Sequence, residues 1–156
     1  MLNIDIPGGP TLEVAHLILD YNGTIALDGE VCSGVRERLI RLAEDMQIHI
    51  LTADTHGTVA EKIAGLPCIL TVIADHSQDL AKLRVLSDLE ARKSIVIGNG
   101  KNDRLMLQHA ALGIGIIGPE GACSAAVLAA DLLCTTIHDA LDLLLFPKRL
   151  QATIRN

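Results

Sequence analysis

Asp20 closes the apolar run His16-Leu17-Ile18-Leu19, and Tyr21-Asn22-Gly23-Thr24 follows at once. A buried strand that breaks on Asn-Gly leaves its last side chain at the carboxyl edge of a sheet, where open α/β folds build their sites. A carboxylate there can be a nucleophile, a metal ligand or a turn former. Two further apolar runs end in polar groups: Ile48 to Leu51 in Thr52, and Ser94 to Ile97 in Gly98-Asn99-Gly100-Lys101-Asn102-Asp103. A carboxylate attacks phosphorus when the phosphate is held in line and its charge is neutralised. Thr52 offers a hydroxyl and a backbone N–H to a phosphoryl oxygen, and Lys82 offers a positive charge. Asp103 can complete a hard-oxygen Mg²⁺ site with Asp20. Asn99 and Asn102 add neutral amides, and Gly98 and Gly100 let the backbone turn closely around the cluster.

The elements that must position these groups follow from the apolar periodicity. An edge strand over Met1 to Ile6 and a turn at Pro7-Gly8-Gly9-Pro10 precede a strand over Thr11 to Leu19. Ile25 to Glu30 reads as a loop with a turn at Asp28-Gly29. Cys32 to Asp45 is helical, with Ser33 as its cap. Strands at Ile48 to Leu51, Cys68 to Ile73, Ser94 to Ile97, Leu112 to Ile117 and Leu132 to Cys134 alternate with helices. The helices cover Thr58 to Ile63 (started by Asp54 or Thr55), Asp79 to Glu90, Asp103 to Ala110, Ser124 to Ala130 and Ile137 to Leu145. Pro147 is a stop, and Lys148, Arg149 and Arg155 belong to a solvated end. Such alternation implies an α/β, Rossmann-like three-layer sandwich around a mostly parallel sheet.

Composition narrows the function. The chain has 156 residues, 49% of them apolar, which suits one domain over residues 1–156 with a substantial core. With one Tyr, one Phe and no Trp, that core must be Leu, Ile, Val and Ala. Single-stranded nucleic acid needs aromatic platforms, and a net charge of −6 opposes phosphate backbones. Nucleic acid is therefore set aside. No apolar stretch has the length of a membrane span, and the N-terminus does not read as a signal peptide. A cytoplasmic location without a membrane partner is expected. The four Cys have no paired short spacing and read as small buried residues. The His residues read as scattered surface or core positions, and Asp54 and His56 as loop residues after Thr52.

From Leu17 to about Leu145 the pattern resembles the haloacid dehalogenase superfamily, and within it the phosphorylation domain of P-type ATPases. Asp20-Tyr21-Asn22-Gly23-Thr24 is similar to the superfamily's first motif, Asp-x-Asp-Gly-Thr, and to Asp-Lys-Thr-Gly-Thr of the pumps. Thr52 sits where the second motif has Thr or Ser. Gly98-Asn99-Gly100-Lys101-Asn102-Asp103 resembles Gly-Asp-Gly-x-Asn-Asp. Lys82 fits the third-motif lysine, with Lys93 and Lys101 as competitors. The resemblance implies an aspartyl-phosphate on Asp20, with Asn22, Thr52 and Lys82 as the other catalytic positions. Gly23, Thr24, Thr52, Ala53, Lys82 and Asn102 would bind phosphate. Mg²⁺ would be held by Asp20, the backbone carbonyl of Asn22, Asn99 and Asp103.

Two departures bear on activity. Phosphatases of the superfamily have Asp two positions after the nucleophile, as general acid and base. Asn22 has no proton to give, which favours acyl phosphates, aryl phosphates or nucleotides over simple alcohol esters. Asn99 replaces a metal-binding Asp and removes one negative charge. The expected function is a slow Mg²⁺-dependent phosphohydrolase acting on a small phosphorylated substrate. The alternatives are a catalytically inactive phosphate-binding module and a regulator phosphorylated on Asp20. No cap domain fits between the motifs, so the site should be open, and a homo-oligomer could close it. Without transmembrane and nucleotide-binding domains, the chain is not expected to pump ions by itself.

Overall fold

A computed structural model describes residues 1–54, 57–74 and 76–155. The strands are β1 (Leu2–Asp5), β2 (Thr11–Val14), β3 (His16–Asp20), β4 (Ala26–Leu27), β5 (Glu30–Val31), β6 (Gln47–Thr52), β7 (Cys68–Val72), β8 (Ser94–Gly98), β9 (Leu112–Ile116) and β10 (Leu132–Cys134). The helices are α1 (Val35–Leu42), α2 (Val59–Lys62), α3 (Gln78–Asp88), α4 (Arg104–His109), α5 (Ser124–Ala129), α6 (Ile137–Leu145) and α7 (Pro147–Ile154). Six strands form one parallel sheet in the order β10-β9-β8-β3-β6-β7. The α/β sandwich expected from the alternation of elements is the observed fold.

Strand alternation divides the core. Leu17, Leu19, Ile48, Ile50, Ile95 and Ile97 pack with Val35 and Leu39 of α1 and with Leu141 and Leu144 of α6. Ile18, Leu51 and Val96 turn to the other face, against Leu86 of α3, Met106 and Leu107 of α4 and Ala126 of α5. By the same parity Asp20 shares the face of Ile18 and is directed to the α3 and α4 layer. Arg38 of α1 donates from Nε and Nη2 to the two carboxylate oxygens of Asp142 on α6, at 2.8 and 3.1 Å.

Several boundaries differ from the sequence reading. Thr11 to Leu19 is two strands, broken at Ala15: β2 pairs antiparallel with β1 in a separate small sheet, and β3 enters the main one. Both halves are apolar and extended, so periodicity does not mark the change of partner. The loop at Ile25 to Glu30 contains the hairpin β4–β5, turned by Asp28 and Gly29 at φ 51° and 80°. Two positive φ values in a two-residue loop match the twist of a hairpin. Gly34, not Ser33, stands at the α1 cap. Pro147 opens α7 rather than ending α6, because a first-turn proline loses no helical hydrogen bond. Lys148, Arg149 and Arg155 are exposed, as expected, while Leu150 of α7 is buried and docks the segment on the core. All four Cys are free, but only Cys134 is buried and the others are half-buried. Thr55 and His56 lie outside the described residues.

The His residues are not all isolated. His16 Nδ1 and His49 Nε2 lie 3.2 Å apart across β3 and β6. Burial first, and the His16 charge second, lower His49 to a pKa of about 4. The unfolded chain therefore binds the extra proton between pH 6.5 and 4, and stability falls as the pH drops through that window. We expect acidification from pH 7.5 to 4.5 to cost on the order of 2 kcal/mol at this residue. Urea unfolding of His49→Gln should show a shallower loss over the same range; an identical pH slope in both proteins would refute this.

Candidate active site

The ends of β8, β3 and β6 lie side by side at the carboxyl edge of the sheet. From β3 the chain builds outward to β6 and β7 on one side, then returns to β8, β9 and β10 on the other. Such a reversal opens a crevice between the two central strands. Asp20 closes β3 on one side of the crevice, and Asn99 follows β8 on the other.

Lys82 enters from α3. It projects from the inward face, one turn before Leu86, and is 1% exposed. Its Nζ donates to Asp20 Oδ1 at 2.6 Å and to Asp103 Oδ1 at 2.7 Å. Lys93 instead pairs with Glu90 at the opposite end of β8, and Lys101 is exposed. Of the lysines weighed in the sequence, the structure brings Lys82 to Asp20.

Asp103 is fully buried in a 3-10 turn, Lys101–Asp103, that precedes α4. Its Oδ2 accepts the N–H groups of Asn99 at 3.1 Å and Gly100 at 2.8 Å. Gly98 makes room for it, because a Cβ there would stand 2.6 Å from the Asp103 carboxyl carbon. Both oxygens of Asp103 are thus engaged by the protein. The Lys82 ammonium joins the two carboxylates. Asp103 holds that ammonium and the loop.

The second oxygen of Asp20 is less committed. Oδ2 accepts from Thr24 Oγ1 at 3.4 Å, and the same hydroxyl lies 3.2 Å from Asn99 Oδ1. Asn99 Nδ2 donates to the Gly121 carbonyl at 3.1 Å, which turns the amide oxygen towards Thr24 and Asp20. Burial, and then the charge of Asp103, raise Asp20 to a pKa of about 7 against the pull of Lys82. Burial alone would lower Lys82, but Asp20 and Asp103 more than offset it and hold the ammonium above the usual lysine range.

Other expected residues stand further out. Thr52 is buried one step beyond Leu51, the residue in register with Asp20, and its hydroxyl accepts the Asp54 N–H at 3.2 Å. Ala53 follows, half-buried. Asn102 donates to Gln78 Oε1 at 2.8 Å and so ties the turn to the start of α3. Asn22 is exposed at the rim, and Gly23 is buried beside it. Two residues went unread in the sequence, Gln78 and Glu120. Glu120 Oε1 accepts the Asp28 N–H at 3.3 Å, joining the hairpin to the turn after β9. No motif marks either position.

Among the described residues no three His, Cys, Asp or Glu side chains converge as a metal cluster. The donors that face the crevice are nevertheless hard oxygens: the Asp20 carboxylate and the amide oxygen of Asn99. They suit a divalent cation, with less charge than a second carboxylate would give. Among the described residues no helix is long and apolar enough to cross a membrane.

No protein-family model matches the chain. Two uncharacterized proteins of Methanocaldococcus jannaschii resemble it in sequence. MJ0073 is 49% identical over 84 residues, 51% of this chain and 90% of that protein. MJ0072 is 56% identical over 39 residues, 25% of this chain and 89% of that protein. The phospholipid-transporting ATPase NEO1 of Saccharomyces cerevisiae is 26% identical over 143 residues, 92% of this chain but 11% of that ATPase.

Solved structures share the fold. The cobalt-bound deoxy-D-mannose-octulosonate 8-phosphate phosphatase of Haemophilus influenzae matches with a TM-score of 0.71 and 13% identity, over 92% of this chain and 94% of that one. The 3-deoxy-D-manno-octulosonate 8-phosphate phosphatase of Moraxella catarrhalis, in complex with magnesium, phosphate and KDO, matches at 0.67 and 17%, over 92% and 95%. A hydrolase of Legionella pneumophila described as of the HAD superfamily, subfamily III A, matches at 0.69 and 17%, over 90% and 87%.

Removing the Lys82 charge leaves two buried carboxylates facing each other. In the metal-free protein Lys82→Met should cost about 3 kcal/mol at pH 8. The loss should be smaller at pH 5.5, because Asp20, pushed up further without Lys82, is then protonated and neutral. Urea midpoints at the two pH values test this; equal losses at both would contradict the ion-pair account.

Proposed function

We propose that the chain is a phosphohydrolase of the haloacid dehalogenase type that works through a phosphorylated Asp20, a reading supported by the fold it shares with the solved phosphatases. The observation that carries the reading is the buried Lys82 ammonium, 2.6 Å from Asp20 and 2.7 Å from Asp103. It fixes one oxygen of Asp20 and leaves the other at the crevice. The phosphate and KDO in the Moraxella structure support a small phosphorylated substrate.

In the first step Asp20 Oδ2, the oxygen not held by Lys82, forms a bond to phosphorus. The bond from phosphorus to the leaving oxygen breaks, and that oxygen departs with its electron pair. Thr24 and Asn99 border the approach, and Lys82 offsets charge developing near Asp20. A divalent cation held by Asp20, the Asn22 carbonyl and Asn99 would add positive charge against the phosphoryl oxygens. Water then attacks the acyl phosphate, releasing inorganic phosphate and restoring the Asp20 carboxylate. Asp103 holds Lys82 and the loop and touches neither substrate nor leaving group.

Asn22 sits where an acid and base would act, but its amide transfers no proton. Turnover is slow, and activated phosphates are preferred. The same feature supports a second reading, in which phospho-Asp20 persists and another protein reads it.

Asp20→Asn should abolish both acyl-phosphate formation from acetyl phosphate and p-nitrophenyl phosphate hydrolysis. Activity surviving that change would rule out Asp20 as nucleophile. Asn22→Asp should raise phosphatase turnover roughly tenfold to ten-thousandfold, the range of general acid–base catalysis. No gain would count against position 22. Asn99→Asp should tighten Mg²⁺ binding, read by calorimetry; unchanged affinity would mean that this side chain does not face the ion.

A further inference from the structure

Tyr21, the one tyrosine of the chain, directly follows Asp20 and is 1% exposed. It holds the segment after it at two points. Its carbonyl accepts the N–H groups of Thr24, Ile25 and Ala26 at 3.3, 3.1 and 3.0 Å, which folds the motif loop into a turn. Its hydroxyl donates to the Gly29 carbonyl at 2.9 Å, at the tip of the β4–β5 hairpin. No step of the proposed chemistry uses that phenol.

The hairpin needs such an anchor. Each of its strands has two residues, and a lone pair of short strands is marginal in water. Among the described residues Glu120 also ties the Asp28 N–H, and Lys62 ties Glu30, but both carboxylates are exposed. Water competes for exposed ties and leaves them little net strength. The phenol bond instead starts from a buried ring.

We propose that Tyr21 is a positioning residue for phosphoryl transfer: by fixing the hairpin tip, its hydroxyl holds the Thr24 hydroxyl on Asp20 Oδ2. This rests on the phosphohydrolase reading and adds a residue to it. Thr24 Oγ1 stands 3.4 Å from Asp20 Oδ2 and 3.2 Å from Asn99 Oδ1. Both lengths are near the limit of a hydrogen bond, so a small backbone shift breaks them. The turn that carries Thr24 runs without a break into the hairpin, and a freed tip loosens the turn. Oδ2 is the attacking oxygen, and a misdirected nucleophile slows the step without weakening substrate binding. Burial first, then the charges of Glu30 and Asp54, push the phenol above its ordinary pKa against the pull of Arg36, so it stays a donor through neutral pH.

The test measures phosphorylation of Asp20 by acetyl phosphate, with Mg²⁺ present, in the wild-type chain, Tyr21→Phe, Thr24→Val and the double variant. Urea unfolding checks that each is folded. Tyr21→Phe should lower the rate at saturating acetyl phosphate about tenfold and leave the half-saturating concentration unchanged. In the Thr24→Val background the same change should cost roughly twofold or less, because residues that act through one contact are not additive. An equal loss in both backgrounds, or none in either, overturns the positioning role and spares the phosphohydrolase. A wild-type chain that is never phosphorylated on Asp20 overturns the phosphohydrolase, and this role with it.

A second measurement keeps the hydroxyl in place. Uniform 3-fluorotyrosine labelling changes this residue alone. Fluorine lowers the pKa of a phenol, and the phenolate cannot donate to Gly29. The alkaline fall in phosphorylation rate should then begin at lower pH than in the unlabelled protein, together with the absorbance of the phenolate. Coincident pH profiles would overturn the proposal even if Tyr21→Phe failed to fold.

Discussion

A fully buried ammonium between two buried carboxylates holds this site together. Taking such charges out of water costs several kcal/mol per ion, and the cost is met only when every lone pair and proton is placed. Here Lys82 reaches Asp20 and Asp103, and Asp103 spends its second oxygen on two backbone N–H groups. One side chain thereby ties the end of β3, the inward face of α3 and the turn before α4. Any shift of α3 along the sheet would leave charge unpaired in a medium that tolerates it poorly.

That arrangement also sets what the crevice can offer a ligand. Two carboxylates and one ammonium leave a single net negative charge, and the oxygen of Asp20 facing Thr24 is where it is available. Asn99 donates from Nδ2 to the Gly121 carbonyl, and its amide oxygen accepts from the Thr24 hydroxyl beside Asp20.

The strand ends were legible because each apolar run stops on a polar residue, and the alternation of elements dictated a parallel sheet. Asp20, Lys82 and Asp103 stood out by type and order in the chain. Their division of labour did not. Asp103 reads as a site carboxylate from its place after Gly-x-Gly-x-Asn, but its bond to Lys82 and its two backbone donors are seen only in the structure. The β2–β3 break at Ala15, the hairpin β4–β5 and the docking of α7 were hidden because local hydropathy does not say which partner an apolar residue will meet.

By itself the sequence determined the fold class and singled out Asp20, Asn22 and Asn99 as candidate site residues, since these depend on residue type and period. Only the tertiary structure decided which lysine meets Asp20 and which oxygen of Asp20 stays available. Those outcomes turn on strand parity and on the approach of residues some 60 to 80 positions apart, seen in Lys82 against Asp20 and Thr24 against Asn99. No local pattern encodes such distances, because they are set by how the sheet and its two helical layers pack.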